Sequence, residues 1–192
     1  MDRNSENLES LIISLLRKSG SNGLSKTQLI KLVFFSDLIA VKNNMPLITQ
    51  CSYITDQYGV VDYSIWDAAV RLSASGDIVI KEESNYYGTP RYTAKIVNDT
   101  FGEIPSNLQK IVDIIWLKYG SMTASELGVE TKRLVAMDDE WQNNIPVDPR
   151  DIAYEESDEF VNGCKEALKK YPEGYSEPKS ISEYLRDLKL ED

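Results

Sequence analysis

The sequence of 192 residues contains no histidine. This absence excludes a Ser-His-Asp triad, a Cys-His dyad and any histidine-ligated zinc site. It also removes the side chain that most often transfers protons near neutral pH. A P-loop and a GxGxxG motif after a predicted strand are missing as well. We therefore predict that the protein is not an enzyme and has no catalytic residue, no cofactor and no metal.

Cysteines and long apolar runs are also scarce. The two cysteines, Cys51 and Cys164, stand far apart and outside any CxxC motif, so we expect two free thiols rather than a disulfide. No apolar run approaches the ~20 residues that a membrane-spanning helix needs. The opening residues 1–10 are polar and show no secretory signal. These features predict a cytoplasmic protein that does not enter a membrane.

The chain does have a high apolar content and a strongly uneven charge. Hydrophobic residues make up 42% of the sequence, which is enough for a packed core. The net charge is −10, of which residues 138–192 carry −9, whereas residues 8–50 carry +3. An acidic protein of this kind suits protein partners, basic ones above all.

Apolar periodicity and helix-capping signals predict the order of secondary structure. Capping boxes are expected at Ser25–Gln28, Ser106–Gln109 and Thr123–Glu126. The predicted elements are helix 5–19, a helix from 26 to about 43, an extended piece 49–55, helix 62–75, strands 77–81 and 91–96, helix 106–119, a helix from 124, and helices 153–171 and 180–190. The fold class is therefore predicted to be α+β and mainly helical, with a winged-helix-like helix–helix–extended–helix–β-hairpin core followed by further helices.

Three short segments carry a family resemblance. Residues 31–37 read KLVFFSD, residues 58–61 read YGVV and residues 119–127 read YGSMTASEL. In this order and spacing they resemble the Panacea family, also called SocA-like antitoxin domains. The chain has Val60 where the family usually has proline, and Thr131-Lys132 where the family usually has a Thr-His pair.

The resemblance implies a function and a domain organisation. Residues 1–145 are expected to form the Panacea-like domain, and 146–192 an acidic helical extension packed on it or tethered to it through an irregular linker at 145–151. The family is associated with toxin–antitoxin and phage-borne modules, so the resemblance implies an antitoxin-like protein that neutralises a partner toxin by direct contact. The charge favours a basic toxin. Operator DNA and a second copy of the chain remain open as further partners.

Aromatic side chains are the candidates for partner binding, because tyrosine and tryptophan dominate interface hot spots. Phe34 and Phe35 are instead predicted to be core residues. Asp37 is expected to cap or to pair locally with a lysine or arginine, and a structural salt bridge is favoured over a catalytic carboxylate. The partner-binding candidates are Tyr53, Tyr58, Tyr63, Trp66 and Trp141. For the first four, core packing is the favoured interpretation, with an interface role expected for one or two of them.

Two other functional classes stay open. The helix–helix–helix–hairpin order is also typical of a winged-helix DNA-binding transcription regulator. Its DNA-contact candidates are Lys26, Lys31, Tyr86 and Arg91, although lysines on an outer helix face are more often simply solvated. An enzyme that uses carboxylates or a metal would need acids to converge in one pocket, for which Asp56, Asp62 and Asp67 are the candidates.

Overall fold

The structure is a computed structural model that describes residues 3–84, 88–98, 102–135 and 141–153, with side chains from residue 6 onward. In chain order its elements are α1 (Arg3–Ser19), β1 (Leu24–Ser25), α2 (Lys26–Lys42), β2 (Tyr53–Asp56), β3 (Gly59–Val61), α3 (Ser64–Ala74), β4 (Ile78–Ser84), β5 (Pro90–Ile96), α4 (Ser106–Tyr119), α5 (Ala124–Val135) and β6 (Pro146–Val147). A further helix begins at residue 149. The predicted mainly helical α+β class is confirmed.

A small antiparallel sheet gives the first part of the chain its winged-helix-like order. Its strand order is β1-β5-β4, so the short strand between α1 and α2 pairs with the second strand of the β4–β5 hairpin. The hairpin register runs from Ile78 opposite Ile96 to Ser84 opposite Pro90. The predicted helix–helix–helix–hairpin sequence is therefore present, with β1 as an additional strand.

A second antiparallel sheet, not predicted from the sequence, stands between α2 and α3. Its order is β3-β2-β6, and a two-residue turn at Gln57 and Tyr58 joins β2 to β3. Strand β6 lies within the predicted linker 145–151 and pairs with β2, with Tyr53 opposite Val147. Residues 152 and 153 are buried. The described part of the predicted C-terminal extension therefore packs against the rest of the molecule.

Helix α2 is the centre of the core. Its residues from 29 to 40 are all buried, and the helix contacts α1, α3, α4, α5 and β3. A helix that is apolar all round is expected to be enclosed in this way. Phe34 lies edge-on to the Tyr53 ring at 5.1 Å, and Phe35 stacks on the Tyr119 ring at 4.0 Å. The prediction that both phenylalanines are core residues is confirmed.

Two of the three predicted capping boxes are present. At the start of α2, the Gln28 amide N–H donates to Ser25 Oγ, and the Gln28 side chain accepts from the Ser25 N–H. Before α5, Glu126 N–H donates to Thr123 Oγ1 at 3.3 Å, and Thr123 N–H donates to Glu126 Oε2 at 2.7 Å. Both helices therefore begin where their sequence signals place them.

The third predicted capping box is wrong. Helix α4 has Pro105 as its N-cap, with no capping hydrogen bond from a side chain. The Gln109 side chain points along the helix instead, and its Nε2 donates to Asp113 Oδ1 at 2.9 Å. Helix 180–190, Cys164 and all but the first residue of helix 153–171 lie outside the described residues, so those predictions are not addressed by the structure.

Candidate partner-binding site

Lys31 is a buried cation at the base of the site. Its side chain on α2 is fully buried, and its Nζ donates a hydrogen bond to the Val60 carbonyl oxygen at 2.5 Å. Burial lowers the pKa of Lys31 to about 7; the Asp56 carboxylate opposes this shift and the Lys132 charge adds to it. The prediction of a solvated lysine that can contact DNA phosphate is wrong, because this ammonium group faces a backbone carbonyl in the interior.

Gly59 allows the β2–β3 turn to pack closely against α5. Its φ is +95°, and a β-carbon there would lie 2.8 Å from the Gly128 carbonyl oxygen and closer still to Thr131 Oγ1. Thr131 Oγ1 donates to the Gly128 carbonyl at 2.9 Å and accepts from the Val60 N–H at 3.3 Å. Two elements therefore hold the turn from below, α2 through Lys31 and α5 through Thr131.

The upper side of the same turn faces solvent. Tyr58 exposes 64% of its surface and Val129, on the outer face of α5, exposes 65%. Between them lies a shallow groove of about 400 Å³, which we call the Tyr58 groove. Thr27, Ser125 and Lys132 also line it.

Asp56 joins two further aromatic side chains to this turn. Its Oδ2 accepts a hydrogen bond from the Tyr63 hydroxyl at 2.7 Å, and its carbonyl oxygen accepts one from Trp141 Nε1 at 3.0 Å. Lys132 Nζ lies 5.1 Å from the centroid of the Trp141 ring, a cation–π distance. Tyr63 is half exposed and Trp141 is half-buried. We define the aromatic turn surface as Tyr58, Tyr63, Val129 and Trp141.

The other two aromatic candidates are not on this surface. Tyr53 is buried, and its hydroxyl donates to Asp37 Oδ2 at 2.8 Å. Trp66 is also buried, with its ring 6.2 Å from that of Tyr92. The prediction that Tyr53 and Trp66 contact a partner is therefore wrong, because both side chains are used in packing.

Asp37 holds the segment that leads into β2. Its Oδ1 accepts the N–H groups of Ile48 and Thr49 at 2.8 and 2.9 Å, and its Oδ2 accepts the hydroxyls of Thr49 and Tyr53. Burial raises the pKa of the Asp37 carboxyl against these hydrogen bonds. No salt bridge to Asp37 occurs among residues 6–84, 88–98, 102–135 and 141–153. Of the two predicted roles the ion pair is therefore wrong, and Asp37 instead binds nearby backbone N–H groups and hydroxyls.

The remaining DNA-contact candidates do not form a basic surface. Lys26 Nζ lies 5.7 Å from the ring centroids of both Tyr63 and Trp66. Arg91 is exposed on β5 directly opposite Glu83. Tyr86 lies outside the described residues. The structure therefore does not bring these candidates together.

Helix α3 is the helix that directly precedes the β4–β5 hairpin in chain order, the position of the recognition helix in the winged-helix alternative. Its exposed side chains include Asp67, Val70 and Arg71, and Arg71 Nε pairs with Glu9 at 3.3 Å. The hairpin beside it exposes Glu82 and Glu83 on β4. Acidic groups thus stand on both elements that would approach a phosphate backbone.

Two of the three acidic residues considered for catalysis, Asp56 and Asp62, bind local backbone N–H groups. Asp62 accepts the Ser52 and Ser64 N–H groups at 2.5 and 2.8 Å, in the turn that precedes α3. Asp56 carries the contacts given above, and Asp67 is exposed on α3. Within the described part of the chain, no three acidic or cysteine side chains are grouped so that they could hold a metal ion.

Sequence reasoning did not single out Val129, Thr131 or Lys132 as site residues. Val129 is an apolar residue that falls off the buried stripe of α5 formed by Leu127 and Leu134, and this pattern is a readable signal of a contact surface. The role of Thr131 depends on a turn that is 71 residues away in sequence, and no local pattern reveals it.

No protein-family model, no curated protein and no solved structure matches this chain. The resemblance to the Panacea family therefore stays a prediction from the three sequence segments. None of the helices within the described ranges combines the length and the apolar character required to traverse a bilayer.

Proposed function

We propose that the protein is antitoxin-like: it binds and neutralises a partner toxin by direct protein–protein contact through the aromatic turn surface. The observation that carries this proposal is the turn itself. Lys31 and Thr131 hold its backbone from below, while Tyr58 presents 64% of its surface to solvent. A backbone that is held in place before binding loses little conformational entropy, and tyrosine is a frequent interface anchor.

The three segments of the family resemblance support the proposal by their location. Residues 31–37 supply Lys31, residues 58–61 form the end of the turn, and residues 119–127 supply Ser125 to the Tyr58 groove. The buried Lys31 thus supports the turn from the interior, and the other two segments, which are distant in sequence, contribute to one exposed surface. A binding role for this surface accounts for their association better than three unrelated structural roles do.

Occlusion is the mechanism that fits this surface. A stable complex buries about 1,600 Å² in total, centred on a few aromatic anchors. The net charge of −10 would attract a basic toxin over long range and speed its association. A toxin whose active site is covered in this way is inhibited without any chemical step.

The test is co-expression with the product of the neighbouring gene, read out by growth rescue and by pull-down. We expect Val129→Asp to weaken the complex by about tenfold or more, because it places a charge in the apolar contact. The matched control is Val97→Asp, since Val97 is 58% exposed and lies outside the aromatic turn surface. Absence of both complex and rescue for the unmodified protein, or equal weakening by the two variants, would reject the proposal.

DNA binding is retained as the alternative because of one observation, the β1-β5-β4 sheet order of a winged helix. A gel shift with the protein's own promoter at two salt concentrations tests it, since phosphate contacts make binding salt-dependent. Arg91→Glu should then abolish the shift. The acidic residues on α3 and β4 favour the opposite result, no shift at either salt concentration, which would remove this alternative.

A further inference from the structure

We infer that the Tyr58 groove accepts an apolar segment of the partner protein that carries a carboxylate, with Lys132 as the counter-charge. This inference rests on the proposed function, since it names the chemistry of the partner segment. It concerns the local contact only. A toxin that is basic overall still presents individual acidic side chains.

The charge of the groove is opposite to that of the protein. Lys132 is the one charged side chain among the described residues that line the Tyr58 groove, on a chain whose net charge is −10. Lys132 is half-buried over the Trp141 ring, and no described carboxylate forms a salt bridge with it. Its charge therefore remains available to a ligand, because an aromatic face attracts a cation without neutralising it.

The Asp56 carboxylate also acts on this place. Burial lowers the pKa of Lys31, the Asp56 charge opposes that shift, and the Lys132 charge adds to it to a smaller extent. The Asp56 carboxylate already accepts hydrogen bonds from the Gln57 N–H at 2.6 Å and from the Tyr63 hydroxyl at 2.7 Å. Asp56 is thus engaged with the turn. Because no described carboxylate forms a salt bridge with Lys132, an incoming carboxylate can pair with that cation.

The walls of the groove indicate the other chemical properties of the ligand besides its carboxylate. Tyr58 and Val129 supply exposed apolar surface on either side, and Thr27 and Ser125 supply hydroxyl groups. Both apolar walls keep about two-thirds of their surface in solvent, so the groove is shallow. A small molecule needs a site that buries most of its surface, whereas a protein segment can cover a shallow groove while neighbouring residues contact the rim.

A displayed library of short random peptides, selected on the immobilised full chain, tests this inference without the toxin. We expect the enriched peptides to carry Asp or Glu next to an aliphatic or aromatic residue. Lys132→Glu should weaken these peptides by about tenfold and shift the selection towards Lys and Arg. The control is Lys81→Glu, because Lys81 is exposed on β4 and outside the groove, and it should leave the selection unchanged.

Three results would overturn the inference: no enriched peptide, enrichment without acidic residues, or the same enrichment on the Lys132→Glu protein. Circular dichroism of each variant establishes that it is folded before selection. The outcome is separable from that of the proposed function. If the toxin is neutralised but Lys132→Glu binds it as tightly as the unmodified protein does, the inference fails and the function stands. If acidic peptides are selected but no toxin is bound, the function fails and the groove chemistry stands.

Discussion

Gly59 lies against Thr131 so closely that a β-carbon at residue 59 would overlap the threonine hydroxyl. The same hydroxyl accepts the N–H of Val60 and donates to the carbonyl of Gly128. The β2–β3 turn and helix α5 therefore meet through backbone atoms and one side-chain oxygen. The position of Tyr58 in the aromatic turn surface depends on this contact.

Gly59→Ala should destabilise the protein by about 3 kcal/mol, since it combines a left-handed φ with a steric overlap. Gly76→Ala is the matched control, because Gly76 has a φ of +88° but open space around it, and it should cost only ~1 kcal/mol. Urea unfolding of both variants measures the difference. Equal losses of unfolding free energy in the two variants would show that the turn shifts away from α5 to make room for the added β-carbon.

Stability should rise with pH above neutrality because of Lys31. Its pKa is about 7 in the folded protein against an ordinary value of 10.5, so between these values the unfolded chain binds the proton that the folded chain has lost. The free energy of unfolding then increases with pH, by up to about 1.4 kcal/mol per pH unit for one proton. Urea unfolding from about pH 7 to 8.5 measures this slope.

Lys31→Met provides the comparison, since methionine fills similar space without a titrating group. The pKa values of Cys51 and Tyr53 are both raised by burial, and these groups act in the opposite direction at higher pH. The difference between the unmodified protein and Lys31→Met removes their contribution. If the free energy of unfolding changes with pH equally in the two proteins, Lys31 keeps its proton in the folded protein over the whole pH range measured.

Thr131→Val should cost about 2 kcal/mol, although the two side chains have nearly the same shape. The change leaves the buried N–H of Val60 without the oxygen that accepts its hydrogen bond. Thr93→Val on β5 serves as the control. Its free energy of unfolding should lie within ~0.5 kcal/mol of that of the unmodified protein, because valine is favoured in strands. Chemical unfolding followed by tryptophan fluorescence reports both values. If Thr131→Val leaves the free energy of unfolding unchanged, Thr131 is not one of the groups that hold the turn.

Asp37→Asn should lower the melting temperature by about 8 °C, which corresponds to roughly 3 kcal/mol for a chain of this size. Asparagine keeps one oxygen and replaces the other by an NH2 group, so either the Ile48 and Thr49 N–H groups or the Thr49 and Tyr53 hydroxyls lose their acceptor. Asp67→Asn, on the exposed face of α3, should change the melting temperature little. Calorimetry that finds the two variants alike would contradict a tethering role for Asp37.

The long helices could be predicted from the sequence because their signals are local. Capping boxes and apolar periodicity placed α2 and α5 at their observed starts. The two-residue strands β1 and β6 could not be predicted, since alternation cannot be recognised over so short a span. Their pairing depends on partners about 70 and 90 residues away.

The candidate site was only partly predictable, for a related reason. Tyr58, Tyr63 and Trp141 were identified as aromatic anchors from residue type alone, which does not distinguish them from the buried Tyr53 and Trp66. The burial of Lys31 did have a signal. Residues on every side of α2 are apolar, and a charged residue in a helix of that kind is placed inside the protein and needs a buried partner.

The spacing of Lys31 and Asp37 on α2 has a consequence for how this sequence can vary. At about 100° per residue, the six residue steps from Lys31 to Asp37 set the two side chains about 120° apart around the axis, so that one reaches β3 and the other reaches the approach to β2. Insertion or deletion of a single residue here would rotate one side chain away from its carbonyl or amide partners. Length in this stretch is therefore as constrained as residue identity, and natural variants should show substitutions there but no gaps.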